Sequence, residues 1–202
     1  MNNKCKFILA SSSPRRKEIF NQIGMRPYIW PSHCEEVITK TIPFEVGEQL
    51  SRQKAEEIFQ RAEKEEGAQS ILILGADTIV AKGNKIMGKP KGEEEAKEML
   101  LFLQGGSHEV YTGATLIYKR GREKREVTFH EKTEVFVYPM SIKEIEEYIS
   151  TGEPMDKAGA YGIQGVFAQY IEKIHGDFYN VAGLPIGRIR REMKKLIGEE
   201  EE

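Results

Sequence analysis

Apolar residues are distributed along the chain in two kinds of pattern, and these predict strands and helices in turn. A continuous apolar run at 71–81 is typical of a strand that is buried on both faces. Apolar residues at spacings of four predict a long helix over Pro43–Glu66, closed by Gly67. Its apolar positions are Val46, Leu50, Ile58 and Ala62.

The other elements are predicted from the same patterns and from their flanking turn and capping residues. The further strands are expected at 7–10, 25–30, 86–87, 110–118, 126–138 and 170–174. The further helices are expected at 14–23, 93–103, 142–149 and 186–197, with Gly24 at the end of the first. Ser141 and Glu144 form a capping box at the start of the third of these helices.

A hydroxyl-rich turn joins the first predicted strand to the first predicted helix. Ser13 suits the N-cap of that helix and Pro14 its first position. Arg15 and Arg16 then fall in the first turn, where cations oppose the helix dipole by a few tenths to about 1 kcal/mol each. An anion bound at the helix end would explain that placement. The alternative is a basic turn that is solvated and binds no ligand.

Two charged residues occupy positions that an apolar pattern would assign to the core. Asp77 lies in the middle of the 71–81 run, and Lys54 lies on or beside the apolar stripe of the long helix. A buried carboxylate without a partner costs several kcal/mol, so Asp77 is hydrogen-bonded, bound to a metal or open to a cleft.

The glycine-rich segment 156–165 would let a ligand approach the backbone closely.

Length and composition narrow the class of protein. The 202 residues fit one domain, or two small lobes that share a sheet. The net charge of −2 gives no reason to expect nucleic-acid or membrane partners. Cys5 and Cys34 make neither a disulfide framework nor a zinc site, and the four histidines lack ligand spacing. No leader and no apolar run of 18 residues is evident, so we expect a soluble, cytoplasmic protein.

Five motifs, in order along the chain, carry a resemblance to a known family. The chain resembles the Maf family of nucleoside triphosphate pyrophosphatases over roughly residues 7–187. The motifs are Ser11-x-Ser13-Pro14-Arg15-Arg16, Gly75-Ala76-Asp77-Thr78, Gly88-Lys89-Pro90, the run from Lys157 to Gly165, and Gly183-Leu184-Pro185. Ser12 departs from the glycine that is common at its position.

The resemblance implies a fold and a reaction. The expected fold is α/β, similar to that of inosine triphosphate pyrophosphatases, with a long mixed sheet and helices forming two lobes around a deep cleft. Residues 1–198 would form this single domain, followed by a frayed acidic tail at 199–202. The reaction cleaves the bond between the α- and β-phosphates and releases pyrophosphate. It requires a divalent cation, Mg²⁺ or Mn²⁺, and family members are often homodimers.

Site residues follow from the chemistry together with the matching motif positions. Asp77 is expected to be the general base and, with Glu36, to hold the metal, although the adjacent Glu35 remains an alternative to Glu36. Phosphate binding is expected at five positions: Ser11, Ser13, Arg16, Lys54 and Lys89. Substrate specificity is expected at Arg15, Thr78 and Gln164, which resemble the dTTP/UTP branch of the family.

Two alternatives remain open from the sequence. The same chemistry could act on 7-methyl-GTP or on non-standard purine triphosphates, although the 7-methyl-GTP branch has Trp at the position of Arg15. The protein could instead regulate cell division by binding, since the family was named after a septum-formation phenotype. A pure binder would not need a carboxylate within an apolar strand.

Overall fold

A computed structural model describes residues 5–66 and 70–198 and contains seven strands in one sheet. The strands are β1 (Lys6–Leu9), β2 (Tyr28–Ile29), β3 (Ser70–Lys82), β4 (Lys85–Met87), β5 (Gly106–Arg120), β6 (Glu123–Val137) and β7 (Ile171–His175). The helices are α1 (Pro14–Gln22), α2 (Pro43–Glu66), α3 (Glu93–Leu103), α4 (Ile142–Ser150), α5 (Phe178–Val181) and α6 (Ile186–Ile197). Three short 3₁₀ helices span Glu153–Asp156, Ala158–Ala160 and Val166–Tyr170.

The sheet is mixed, with strand order β2-β1-β3-β5-β6-β7 and β4 paired to β3. β1 runs parallel to both β2 and β3, whereas the β3–β5, β5–β6 and β6–β7 pairs are antiparallel. The expected α/β fold with a long mixed sheet is therefore confirmed. The expected helix end at Gly67 and the acidic tail at 199–202 lie outside the described residues. That residues 1–198 form a single domain stays a prediction.

Helices pack on the sheet in separate groups. At the β1 end, α1 and α6 cover one face through Ile19, Phe20 and Ile189, and α2 covers the other face. At the far ends of β3, β5 and β6, α3 and α4 enclose a second core that includes Leu100 and Tyr148. These groups leave the middle of β3 as the floor of a cleft, because Asp77 and Thr78 are only half-buried within an otherwise buried run.

Helix α2 lies unusually close to the sheet. A Cβ at Gly75 would stand 2.2 Å from the Ser51 carbonyl oxygen, and one at Gly113 would stand 2.2 Å from the backbone of Gly47. Ser51 Oγ is also 2.9 Å from Thr115 Oγ1 on β5. Glycine at the two strand positions permits this approach, which places α2 beside the centre of β3.

Two local predictions need correction. The strand expected at 25–30 is only Tyr28–Ile29, because Pro27 has no backbone N–H with which to extend the ladder. Ser13 occupies the N-cap of α1, but its hydroxyl makes no capping hydrogen bond. The capping box of Ser141 and Glu144 is confirmed.

Candidate active site

All ten residues expected at the site, with Glu36 rather than its alternative Glu35, line one cleft of about 810 Å³. Its walls come from the β1–α1 turn, the loop before α2, α2 itself, the middle of β3, the β4–α3 loop and the glycine-rich segment. The ten are Ser11, Ser13, Arg15, Arg16, Glu36, Lys54, Asp77, Thr78, Lys89 and Gln164. Residues that are up to about 150 positions apart in the chain therefore line the same cleft.

The Arg16 guanidinium is fixed by three hydrogen bonds at the start of α1. Its Nε donates to the Gly183 carbonyl oxygen (2.8 Å), its Nη1 to Ser11 Oγ (3.0 Å) and its Nη2 to Thr78 Oγ1 (3.1 Å). A guanidinium has five N–H groups, so two are left without a partner in the described chain. Burial lowers the pKa of Arg16, and the nearby Asp77 carboxylate counteracts this. The result is a pre-oriented cation at the cleft with two N–H groups left for an anion.

Ser11 and Ser13 complete this turn. Ser11 is buried, and its hydroxyl accepts from the Ser13 backbone N–H (3.2 Å) as well as from Arg16. Ser13 is half-buried at the N-terminus of α1, where the first backbone N–H groups of the helix have no intrahelical acceptor. Hydroxyls, a guanidinium and a helix N-terminus thus meet at one edge of the cleft, which is a suitable environment for phosphate oxygens.

A buried polar network supports Arg16 from behind. Thr78 Oγ1 lies 3.0 Å from Thr112 Oγ1, which donates to the Asn180 carbonyl oxygen (2.9 Å). The Asn180 side chain accepts from the Thr112 backbone N–H and donates to Val110 O and Thr133 Oγ1. Asn180 therefore fixes the turn that presents the Gly183 carbonyl oxygen to Arg16. Thr78 has Arg16 and Thr112 as its partners, and its role in specificity stays a prediction.

Opposite Arg16, one ammonium joins two carboxylates. Lys54 Nζ forms an ion pair with Asp77 Oδ1 and lies 2.9 Å from Glu36 Oε1. Burial lowers the pKa of Lys54, but Asp77 and Glu36 outweigh this and leave the pKa above its ordinary value. Glu35 is exposed and does not line the cleft, so the geometry favours Glu36 over Glu35.

The carboxylates of Glu36 and Asp77 converge on a single cationic group, and that arrangement fits a divalent cation. Mg²⁺ is commonly held by one or two carboxylates, with substrate phosphates and water as its other ligands. Within residues 5–66 and 70–198 no group of three or more His, Cys, Asp or Glu side chains is placed to hold a metal ion. A cation at this position would therefore depend on oxygens of the substrate.

The third side of the cleft carries Lys89, Arg15 and Gln164. Lys89 and Gln164 are exposed into the open volume, and neither side chain has a hydrogen bond to the described part of the chain. Arg15 Nη1 lies 3.1 Å from Asp156 Oδ2, which joins the β1–α1 turn to the opposite wall. Free amide and ammonium groups here remain available to a ligand.

Several residues that shape this wall were not identified from the sequence. Glu153 accepts from the Val166 backbone N–H (2.8 Å) and from Tyr148 OH (2.9 Å), beneath the turn that carries Gln164. A Cβ at Gly165 would stand 2.2 Å from the Glu153 carboxylate, so glycine is needed there. Contacts between residues 13 apart in an irregular segment leave no periodic signal in the sequence.

A buried histidine underlies the same wall. His108 Nε2 is 2.7 Å from the hydroxyl of Tyr161, whose side chain lines the cleft. Burial, with a smaller contribution from Lys82, lowers the pKa of His108 to about 4. His108 is therefore neutral at pH 7 and acts here as a packing and hydrogen-bonding group.

The fold and the cleft define an α/β protein whose cleft contains a hydrogen-bonded guanidinium and a pair of carboxylates joined by one ammonium. A family model described as "Maf-like protein" matches residues 6–196, and the chain belongs to this family.

No helix in the described ranges is long and apolar enough to span a membrane.

Curated relatives match over nearly the whole chain. Proteins named "dTTP/UTP pyrophosphatase" from Agathobacter rectalis and Lachnoclostridium phytofermentans are 51% and 47% identical, with 95% of this chain and 97% and 95% of theirs covered. One of the same name from Carboxydothermus hydrogenoformans is 47% identical, with 94% of this chain and 98% of its own covered. A solved structure titled "Structure of a HAM1 protein from Coxiella burnetii" aligns at a TM-score of 0.47 and 12% identity over 98% of this chain and 100% of its own.

Proposed function

We propose that the protein hydrolyses dTTP and UTP to the nucleoside monophosphate and pyrophosphate, with a divalent cation as cofactor. The observation that supports this most is the single cleft lined by all ten expected residues, with a carboxylate pair facing a fixed guanidinium. Relatives at 44–51% identity are named for this activity.

Asp77 is the proposed general base. Its half-buried carboxylate stands in the floor of the cleft, on a rigid central strand. A water molecule that attacks the α-phosphorus gives up a proton, and the bond from that phosphorus to the bridging oxygen breaks as pyrophosphate leaves. Proton transfer to a positioned carboxylate contributes about 10²- to 10⁴-fold to such a reaction.

The basic edge of the cleft would bind the leaving pyrophosphate. Arg16 has two N–H groups left for phosphate oxygens, and Ser11 and Ser13 lie beside it. Lys89 and Lys54 would supply point charges that offset the negative charge of the triphosphate. Because three hydrogen bonds already orient Arg16, little reorganisation would be needed when charge develops in the transition state.

Glu36 and Asp77 would hold the divalent cation, either Mg²⁺ or Mn²⁺. When bound, such a cation neutralises phosphate charge and lowers the pKa of a bound water. In the structure the Lys54 ammonium neutralises both carboxylates. A divalent cation would take over that role, and Lys54 would then be free to contact phosphate.

Base choice would rest on Gln164, with Arg15 and Thr78 as further specificity residues. The dioxo edge of thymine or uracil has two acceptor oxygens with one N–H donor between them. The amide of Gln164, which has no hydrogen bond within residues 5–66 and 70–198, can both donate and accept, so it can match part of that edge. A wrong base would bury the amide of Gln164 without a matching partner and would be rejected.

Other properties are part of the same proposal. A nucleoside triphosphate is the proposed partner, and neither nucleic acid nor membrane is expected at a net charge of −2. We also propose that the protein is cytoplasmic and that it can form a homodimer.

Pyrophosphate release from a panel of nucleoside triphosphates tests the proposal. We expect dTTP and UTP to be the best substrates, with activity that EDTA abolishes and Mg²⁺ or Mn²⁺ restores. Preference for 7-methyl-GTP or dITP would be consistent with the proposed pyrophosphate-releasing reaction but would refute the specificity roles of Arg15, Thr78 and Gln164. No turnover of any triphosphate by folded, metal-supplied protein would refute the enzymatic assignment.

A further inference from the structure

The wall of the cleft that carries Glu36 has no regular secondary structure. Residues 30–42, between β2 and α2, contain neither helix nor strand. Directly after Glu36, Val37 and Ile38 are 54% and 56% exposed, so the core does not hold this part of the segment. Something other than apolar packing must therefore fix the position of Glu36.

Two glutamine side chains on α2 provide that attachment. Gln53 Oε1 accepts from the Val37 backbone N–H (3.0 Å), and Gln53 Nε2 donates to the Val37 carbonyl oxygen (2.7 Å). One turn earlier on the helix, Gln49 Oε1 accepts from the Thr39 backbone N–H (3.1 Å) and Gln49 Nε2 donates to Thr39 Oγ1 (2.9 Å). At a spacing of four, both amides lie on one face of α2.

The Gln53 contact has a fixed direction. A primary amide offers an acceptor on one side and donors on the other, and Gln53 uses both on the two backbone groups of Val37. Rotating the amide by half a turn would place donor against donor and acceptor against acceptor. The pair therefore fixes both the position and the orientation of the Val37 backbone.

The sequence positions of these contacts link them to the carboxylate pair. Gln53 immediately precedes Lys54 on α2, and Val37 immediately follows Glu36. Two consecutive helix residues thus hold two consecutive residues of the segment, one through the backbone and one through the Lys54–Glu36 ion pair of 2.9 Å. A shift of Val37 would carry Glu36 away from Lys54 and Asp77.

We propose that Gln53, assisted by Gln49, is a positioning residue that holds Glu36 in the place where it faces Asp77 and can bind the divalent cation. This inference rests on the proposed function, since it assigns the cation to Glu36. Gln53 acts through the backbone of Val37 and does not line the cleft itself.

The test replaces Gln53 with methionine, which keeps the length of the side chain and a similar helix propensity but cannot hydrogen-bond to Val37. Gln60→Met is the matched control, because Gln60 is an exposed residue of the same helix with no side-chain hydrogen bond in the described chain. Two quantities are measured in each variant: amide hydrogen exchange of a peptide that covers 36–40, and the Mg²⁺ concentration that gives half-maximal UTP hydrolysis.

We expect faster exchange at 36–40 in Gln53→Met and a half-saturating Mg²⁺ concentration raised by about 10- to 100-fold, the usual effect of losing a partner that orients a metal ligand. The rate at saturating Mg²⁺ should change much less, because the cation restores Glu36 to its place. Gln60→Met should match the unsubstituted protein in both measurements.

Two results would overturn the role of Gln53: unchanged exchange at 36–40, or faster exchange with an unchanged Mg²⁺ requirement. Absence of metal-dependent turnover in the unsubstituted protein is a different outcome, because it would refute the proposed function itself. The two failures are thus distinguishable, since the exchange measurement does not depend on activity.

Discussion

Replacing Gly75 with alanine tests how closely α2 must approach the sheet to form the site. The added Cβ would stand 2.2 Å from the Ser51 carbonyl oxygen, 2.8 Å from the Ala55 backbone nitrogen and 2.9 Å from Ala55 Cβ. Two of these are backbone atoms of α2 and the third is a Cβ, so no side-chain rotation relieves the contact. The helix must move outward by roughly 0.8 Å to reach even a 3.0 Å separation.

The expected cost has two parts. Overpacking of this kind destabilises a protein by about 1–3 kcal/mol, which is about 2–4 °C in Tm per kcal/mol at this chain length. The same movement would carry Lys54 away from Asp77, two residues along β3 from Gly75. A misplacement of about 1 Å in an active site can cost 10²-fold in rate, so we expect kcat/KM to fall by about that factor.

Urea unfolding and UTP hydrolysis measure the two parts separately. The control is Gly187→Ala on α6, where the added Cβ would meet nothing within 4 Å beyond its chain neighbours and the backbone of its own helix. That control should retain full activity and be as stable as the unsubstituted protein or slightly more so. Equal stability and equal activity of Gly75→Ala and Gly187→Ala would refute the argument that close packing of α2 builds the site.

Two further predictions concern buried polar groups. Asn180→Leu should destabilise the protein by several kcal/mol, since each buried group left unpaired costs about 1–3 kcal/mol. It should also raise KM, because the turn that holds Arg16 loses its anchor. Urea unfolding and kinetics check both effects against the control Asn21→Leu, at an exposed position of α1. The free energy of unfolding should fall by about 3 kcal/mol from pH 7 to pH 4 through His108, because the unfolded chain binds a proton near pH 6.5 that the folded chain rejects until its pKa of about 4. Unfolding curves across this range should lose that fall in His108→Gln and keep it in His175→Gln, at an exposed position; an unchanged fall in His108→Gln would contradict the assignment.

The central strand, and the candidate residues that meet in the cleft beside it, were accessible from the sequence. An apolar run interrupted by Asp77 predicted a buried strand that either satisfies or exposes a carboxylate. Between the two ends of β3, only Asp77 and Thr78 are half-buried. The turn before α1 was equally informative, because two arginines in a first helical turn are unfavourable without an anion. These signals are local and therefore visible in the sequence itself.

The supporting contacts were not accessible in the same way. Asn180 reaches Thr112 across 68 positions, and Gln53 reaches Val37 across 16, with no periodicity that connects the partners. Residue type does not separate Glu35 from Glu36, and spacing along the chain favours Glu36 only modestly. Their separation depends on the direction of the backbone in a segment without helix or strand, which tertiary hydrogen bonds determine.

The predicted start of the strand at 25–30 was a different kind of error, because the observed strand begins later. Pro27 stands within the predicted range, and proline cannot donate to a sheet ladder. The apolar and aromatic composition of the stretch favours a strand, but this backbone restriction shortens it. The observed strand begins directly after Pro27, at Tyr28.

The most direct test of the site is the reaction of Asp77→Asn with UTP, followed by ³¹P NMR in the presence of Mg²⁺. The unsubstituted protein should produce UMP and pyrophosphate, and the variant should be slower by about 10²- to 10⁴-fold while remaining folded by circular dichroism. Formation of UDP and phosphate would contradict cleavage at the α-phosphorus. An undiminished rate in the variant would contradict the role of Asp77 as the base.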